Sequence, residues 1–92
     1  MAEQILRLVD SIHLDPADDG TATAVDDRTL TAFHLNRTAY LVTDALRSPR
    51  TAEQLASVLA AAVGCATEKA SAPVAVLLAE LGKLGWIGPA SR

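Results

Sequence analysis

The spacing of apolar positions changes once along the chain, at Asn36. Before it, Thr31, Phe33 and Leu35 alternate with Leu30, Ala32 and His34, the two-residue period of a strand over 29–35. After it, Ala39, Val42 and Leu46 recur at helical spacing and make one apolar stripe. Asn36 suits the junction, because its side-chain oxygen can accept a backbone N–H that a first helical turn leaves unpaired. The expected strand therefore runs straight into a helix, with Leu35 as its last inward residue.

Upstream, 5–14 carries two periods at once. Ile5, Leu8, Val9 and Ile12 fit a helical face, whereas Ile12 and Leu14 fit a strand. A strand over 11–15 is expected, after a variable lead-in. The run from Asp15 to Gly20 combines fixed φ, side-chain turn bonds and positive φ, hence a turn. Residues 21–25, rich in β-branched side chains, predict a second strand, Asp26-Asp27-Arg28 a hairpin connection, and 29–35 the return. So small an antiparallel sheet must lay one face on something apolar.

Three helices supply that surface. The first spans about 37–47 and is halted by Ser48-Pro49. The second opens on the Thr51-x-x-Gln54 capping box, buries Leu55, Val58, Leu59, Ala62 and Val63, and closes at Gly64. The third begins near 71–73, with Pro73 in the first turn, where a missing N–H costs little. Its stripe is Val74, Leu77, Leu78, Leu81 and Leu84, and Gly85 ends it. Trp86-Ile87 is expected to fold back as an apolar tail, with 88–92 frayed. Strands segregated from helices define the α+β class. The expected fold is a winged-helix-like unit, a three-stranded antiparallel sheet followed by a three-helix bundle, forming one domain over 1–92 with its core at about 12–87.

Composition narrows the picture. A 92-residue chain holds one domain and buries roughly 60–65% of its unfolded surface. Aromatic residues make up 3%, so the core rests on Leu, Val and Ala and is thin. A net charge of -3 argues against nucleic acid, which needs a basic face. Of Arg37, Arg47 and Arg50, Arg47 is read as the cation in a last helical turn. The single Cys65 precludes an internal disulfide, no apolar run has the length of a membrane span, and the start of the chain lacks the pattern of a signal peptide. The expectation is a cytoplasmic protein without a membrane partner.

No catalytic set emerges. His13 and His34 lie on predicted strands with no further ligands at metal spacing. The acidic run Asp15, Asp18, Asp19 lacks the ligand order of a calcium loop. Asp10-Ser11-Ile12 has the look of a carrier-protein site, but strand-like residues follow Ser11 where a helix should open. Cys65 has no basic group placed against it. A non-enzymatic binding module without metal or cofactor remains. One form is a winged-helix nucleic-acid or protein adaptor, for which the third helix offers only Glu80 and Lys83 among Val, Ala and Leu. The other is strand addition, in which an extended peptide pairs with a free sheet edge and places alternate side chains in pockets.

Asp26-Asp27-Arg28-Thr29, followed by Phe33-His34-Leu35-Asn36-Arg37-Thr38-Ala39, resembles the D-x-x-(T/G)…(Y/F)-x-L-N-x-T-(A/G) signature of PqqD-like proteins. These are recognition elements of ribosomally made, modified peptide (RiPP) pathways. Arg50 to Leu55 is similar to that family's R-T-x-E-x-L helix, and Val74 to Ile87 to its closing segment. The resemblance implies binding of a precursor leader peptide as an added strand between the third strand and the third helix. It implies delivery of that leader to a separate enzyme: a leader peptidase in the lasso-peptide version, which the chain resembles most, or a radical modifying enzyme. On the strand, Leu30, Ala32 and His34, or their alternates Thr31 and Phe33, are expected to flank the peptide, depending on which face is buried. On the helix, Val74, Leu77, Leu78 and Leu81 line the pocket or the core beneath it. The same edge allows pairing of two copies. Two positions depart from the family pattern: Pro73 stands where Asp is frequent, and Thr43 where a larger side chain is.

Overall fold

The computed structural model describes residues 4–89. The order of elements is β1 (Ile5–Leu8), β2 (Ile12–Pro16), β3 (Ala22–Asp26), β4 (Thr31–Leu35), α1 (Arg37–Ala45), β5 (Arg50–Thr51), α2 (Ala52–Val63), α3 (Thr67–Leu84) and β6 (Ile87–Pro89). The α+β class and the antiparallel sheet followed by three helices are as expected.

Strands β2, β3 and β4 form an antiparallel meander in that order. Its inner face is carried by Ala22, Ala24 and Asp26 of β3, all buried, with Phe33 opposite Ala24 and Leu35 opposite Ala22. Small residues on the central strand leave room for the large ones beside them. The return strand begins at Thr31 rather than Thr29. Thr29 and Leu30 belong to the turn, which the Leu30 N–H closes onto the Asp26 carbonyl at 2.8 Å. Asp26, expected in the connection, is instead the last residue of β3 and fully buried.

The ambiguous 5–14 resolves into two strands. β1 is the centre of a second small sheet, antiparallel to β5 on one side and β6 on the other. At its end, the Leu8 N–H donates to the Leu46 carbonyl and, one residue on, the Val9 N–H to the Trp86 carbonyl, both at 2.8 Å. Gly88 and Pro89, expected to fray, pair with Arg7 and Leu6. Residues 90–92, the remainder of that expected frayed end, lie outside the described residues.

The helix ends follow their caps. Asn36 Oδ1 accepts the Ala39 N–H at 2.8 Å, and Thr51 and Gln54 exchange both capping-box bonds at 3.1 and 2.9 Å. Gly85 takes φ 75, a left-handed turn that reverses the chain and drives Trp86 into the core. α2 buries Leu55, Ala56, Leu59 and Ala60, while Ala62 and Val63 are exposed. Its inward face is therefore centred differently from the expected one, because the small Ala56 and Ala60 let α3 approach closely. α3 starts at Thr67, not near Pro73, and proline stands inside it. Burial of Ala70 draws the earlier turn into the fold, and the Lys69 carbonyl, which Pro73 cannot pair, belongs to an exposed residue that water can reach.

The core joins both layers through Leu8, Ile12, Leu35, Val42, Leu46, Leu55, Val74, Leu81 and Trp86. The expected cation at the end of α1 is Arg50 rather than Arg47. Arg50 Nε donates to the Ala45 carbonyl at 2.8 Å, whereas Arg47 lies past the helix and pairs with Asp44 at 3.2 Å.

Candidate functional site

β4 pairs with β3 alone, so among the described residues its second edge carries backbone N–H and C=O groups without a strand partner. A ribbon enclosed between two of the chain's own strands could accept nothing; this one is open. Two contacts fix its position against the end of α3. Arg28 Nη2 donates to the Gly85 carbonyl at 3.0 Å, and Phe33 meets Trp86 edge-on, with ring centroids 5.4 Å apart.

Where β4 passes into α1, a cleft of about 340 Å³ opens between Asn36, Thr38 and Ala39 on one side and Pro73, Val76, Leu77 and Glu80 on the other. With Leu84, the α3 residues recur at three- and four-residue steps and so share one helical stripe. It runs beside the buried stripe of Ala70, Val74 and Leu81. Val76 is 65% exposed, Phe33 40%, Leu84 39% and Leu30 86%. Val76 and Leu84 lie on the same stripe of α3, and an apolar stripe left to water marks a surface suited to docking.

The predicted residues separate into groups. Thr31, Ala32, Phe33 and His34 are all exposed on β4, Thr31 and Phe33 on the face of Leu35, Ala32 and His34 on the other. Leu30 stands at the turn, with φ 56. Val74 and Leu81 are buried in the core and do not line this cleft; Val74 forms part of the wall of the recess on the α2 side. Leu77 lines the cleft. Leu78 lies on the opposite flank of α3, in a larger recess of about 800 Å³ lined mainly by the small side chains of α2 and α3, among them Ala52, Ala56 and Ala75. The smaller cleft is the relevant one, because Asn36, the residue that directly follows β4, lies in its lining. Asn36, Thr38, Ala39, Pro73, Val76, Glu80 and Leu84 are cleft or stripe residues that the sequence reading did not assign to a site. Val76 carried the available signal: an apolar residue off the core stripe of an amphipathic helix.

Electrostatics hold the hairpin in place. The buried Asp26 carboxylate accepts from the Arg28 backbone N–H at 3.0 Å and from its guanidinium at 3.3–3.4 Å. Burial pushes the Asp26 pKa up, the Arg28 hydrogen bonds pull it down, and the bonds prevail, leaving it below the usual carboxylate value. In the loop after β2, Asp19 accepts from the Thr21 hydroxyl and N–H at 2.6 and 3.0 Å, which lowers its pKa as well. His13 Nε2 lies 2.6 Å from Asp27 on the exposed end of the sheet. Among the described residues no group of three or more His, Cys, Asp or Glu converges as a metal site. No single helix among them is long and apolar enough to cross a membrane.

Three solved structures share the fold. TbiB1 in complex with the TbiA(beta) leader peptide superposes with a TM-score of 0.77 at 13% identity, covering 94% of this chain and 99% of that one. The PqqD part of Methylobacterium extorquens PqqCD, a functional, stand-alone RiPP recognition element, gives 0.73 at 18% identity, over 91% and 88% of the two chains. Lasso peptide synthetase B1, complexed with its leader peptide, gives 0.72 at 26% identity, over 96% and 100%. No curated protein matches the sequence. The profile of coenzyme PQQ synthesis protein D (PqqD) matches residues 22–87, from β3 through the cleft to the first residue of β6, and by that match the chain belongs to the PqqD family.

Proposed function

We propose that this chain binds the leader of a ribosomally made precursor peptide as an additional strand on the free edge of β4. It presents that leader to a separate enzyme and catalyses no reaction itself. The observation that carries the reading is the open edge of β4 beside an exposed apolar stripe of α3. Main-chain bonds to the edge supply affinity that tolerates sequence change, and side-chain pockets supply the selection. Leu30, Thr31, Ala32, Phe33 and His34 flank the peptide. Leu77 receives its side chains together with Val76 and Pro73, and Val74 and Leu81 hold α3 in the core. Leu78, on the far flank, stays out of contact. The whole chain acts as one recognition domain in the cytoplasm. TbiB1 and lasso peptide synthetase B1, both in complex with leader peptides, support the ligand class, and the resemblance of the sequence to the lasso-peptide version favours a leader peptidase as the enzyme served.

The test is a backbone scan. Peptides selected from a displayed random library on the immobilised protein are resynthesised with single N-methyl groups. Loss of binding at every second amide, with the intervening amides tolerant, is the expected result, because an added strand bonds through alternate residues. Uniform tolerance would exclude strand addition. A short precursor gene next to this one, with a peptidase gene beside it, is the expected genomic setting.

A further inference from the structure

We infer that Glu80 selects peptides that carry a lysine or arginine two positions from the aliphatic residue that fills the cleft. This rests on the placement of the peptide along β4 proposed above. Ala39, Pro73, Val76 and Leu77 make the cleft apolar, Asn36 and Thr38 are neutral, and Glu80 is the one formal charge in its lining. Its carboxylate has a single close cation among the described residues, Lys83 Nζ at 3.9 Å. Both side chains of that pair are largely in water, 64% and 76% exposed, so the attraction is weak and screened. The Glu80 carboxylate is thus held at the rim of an oily cleft with most of its hydrogen-bonding capacity turned to solvent.

Covering the cleft changes its electrostatics. A peptide that shields Val76 and Leu77 removes water from one side of Glu80, which strengthens its attraction for a cation and its repulsion of an anion. Spacing agrees with such a pair. Alternate residues of an extended peptide face the same side about 6.6 Å apart. The rise along α3 from Val76 to Glu80 is about 6 Å. For a peptide that runs along α3, an aliphatic residue over Val76 brings the residue two positions away opposite Glu80. A long lysine or arginine stem also lies along the apolar wall while its head reaches the carboxylate. A peptide with Asp or Glu there would set two carboxylates together at the cleft rim.

The experiment selects displayed random peptides on the wild type, Glu80→Gln and Glu80→Lys. Circular dichroism confirms that the exposed substitutions leave the fold intact. Wild-type winners should pair an aliphatic residue with Lys or Arg two positions away, Glu80→Gln should lose the basic preference, and Glu80→Lys should replace it with Asp or Glu. In titrations, a winning peptide should bind the wild type about two- to fivefold more tightly than its Lys-to-Glu counterpart. That order should reverse on Glu80→Lys and shrink in high salt. Peptides that bind with the alternate N-methyl pattern but show no charge preference, or one that Glu80→Lys leaves unchanged, would overturn the role of Glu80 while leaving leader binding intact. Failure of all three proteins to enrich peptides would instead overturn the binding reading, and this inference with it.

Discussion

Thr43 is fully buried on α1, and among the described residues its hydroxyl meets no hydrogen-bond partner. A buried hydroxyl without a partner loses its water and gains nothing in return, so replacing it with an isosteric methyl should help. Thr43→Val is expected to raise stability by about 1 kcal/mol, read as a higher urea midpoint with an unchanged slope. A lower midpoint would mean that the hydroxyl has a partner after all. Leu30 presents the opposite problem: it is almost wholly exposed and holds φ 56, where a side chain with a Cβ crowds the following carbonyl. Leu30→Asn should stabilise the protein by up to about 1 kcal/mol, since asparagine tolerates this conformation and no buried contact is lost. Thermal denaturation checks it; a fall in Tm would show that Leu30 packs on something. Neither feature was visible beforehand, because period and propensity describe side chains in sequence and give neither the φ of a turn residue nor the partners of a hydroxyl.

The hairpin of β3 and β4 depends on Asp26. Its carboxylate joins the turn to Arg28, and Arg28 reaches the end of α3 at Gly85. Because the folded pKa lies below the unfolded one, the ionised form stabilises the fold. That contribution is complete above the unfolded value, near 3.9, and is lost as the pH falls through it toward the lower folded value. Asp26→Asn should therefore lower the urea midpoint at pH 7, and the gap from wild type should close as the pH drops below about 4. A gap constant with pH would show that the charge of Asp26 plays no part. At this scale much was legible. Asn36, the Thr51–Gln54 box, Gly64 and Gly85 end or begin helices where their chemistry says they should, because a cap acts on groups within a few residues. The start of α3 was not legible. Pro73 is a good first-turn residue, and only burial of Ala70 against the rest of the core extends the helix back to Thr67.

For the molecule as a whole, α3 divides two surfaces. Val76 faces the start of α1, just past β4, and Leu78 the α2 side, although a continuous stripe through Leu77 and Leu78 is what the spacing suggests. Val76→Asp should weaken peptide binding at least about tenfold, the loss of one buried aliphatic contact, with the circular dichroism spectrum unchanged because the residue is exposed. Leu78→Asp, provided it folds, should bind as the wild type does. Equal binding losses in two folded variants would place the peptide across both flanks.

The chain alone determined the α+β class, the helix boundaries set by caps, the strand that runs into a helix at Asn36, and the likeness to PqqD. All of these are written in residues a few positions apart, where backbone bonding and periodicity act. Tertiary structure decided the rest: that β1 is closed between residues 50–51 and 87–89, that Trp86 is core rather than tail, and that β4 keeps an open edge. Those outcomes depend on loops of many residues closing against one another. Such closure is driven by total apolar burial, which no local pattern encodes.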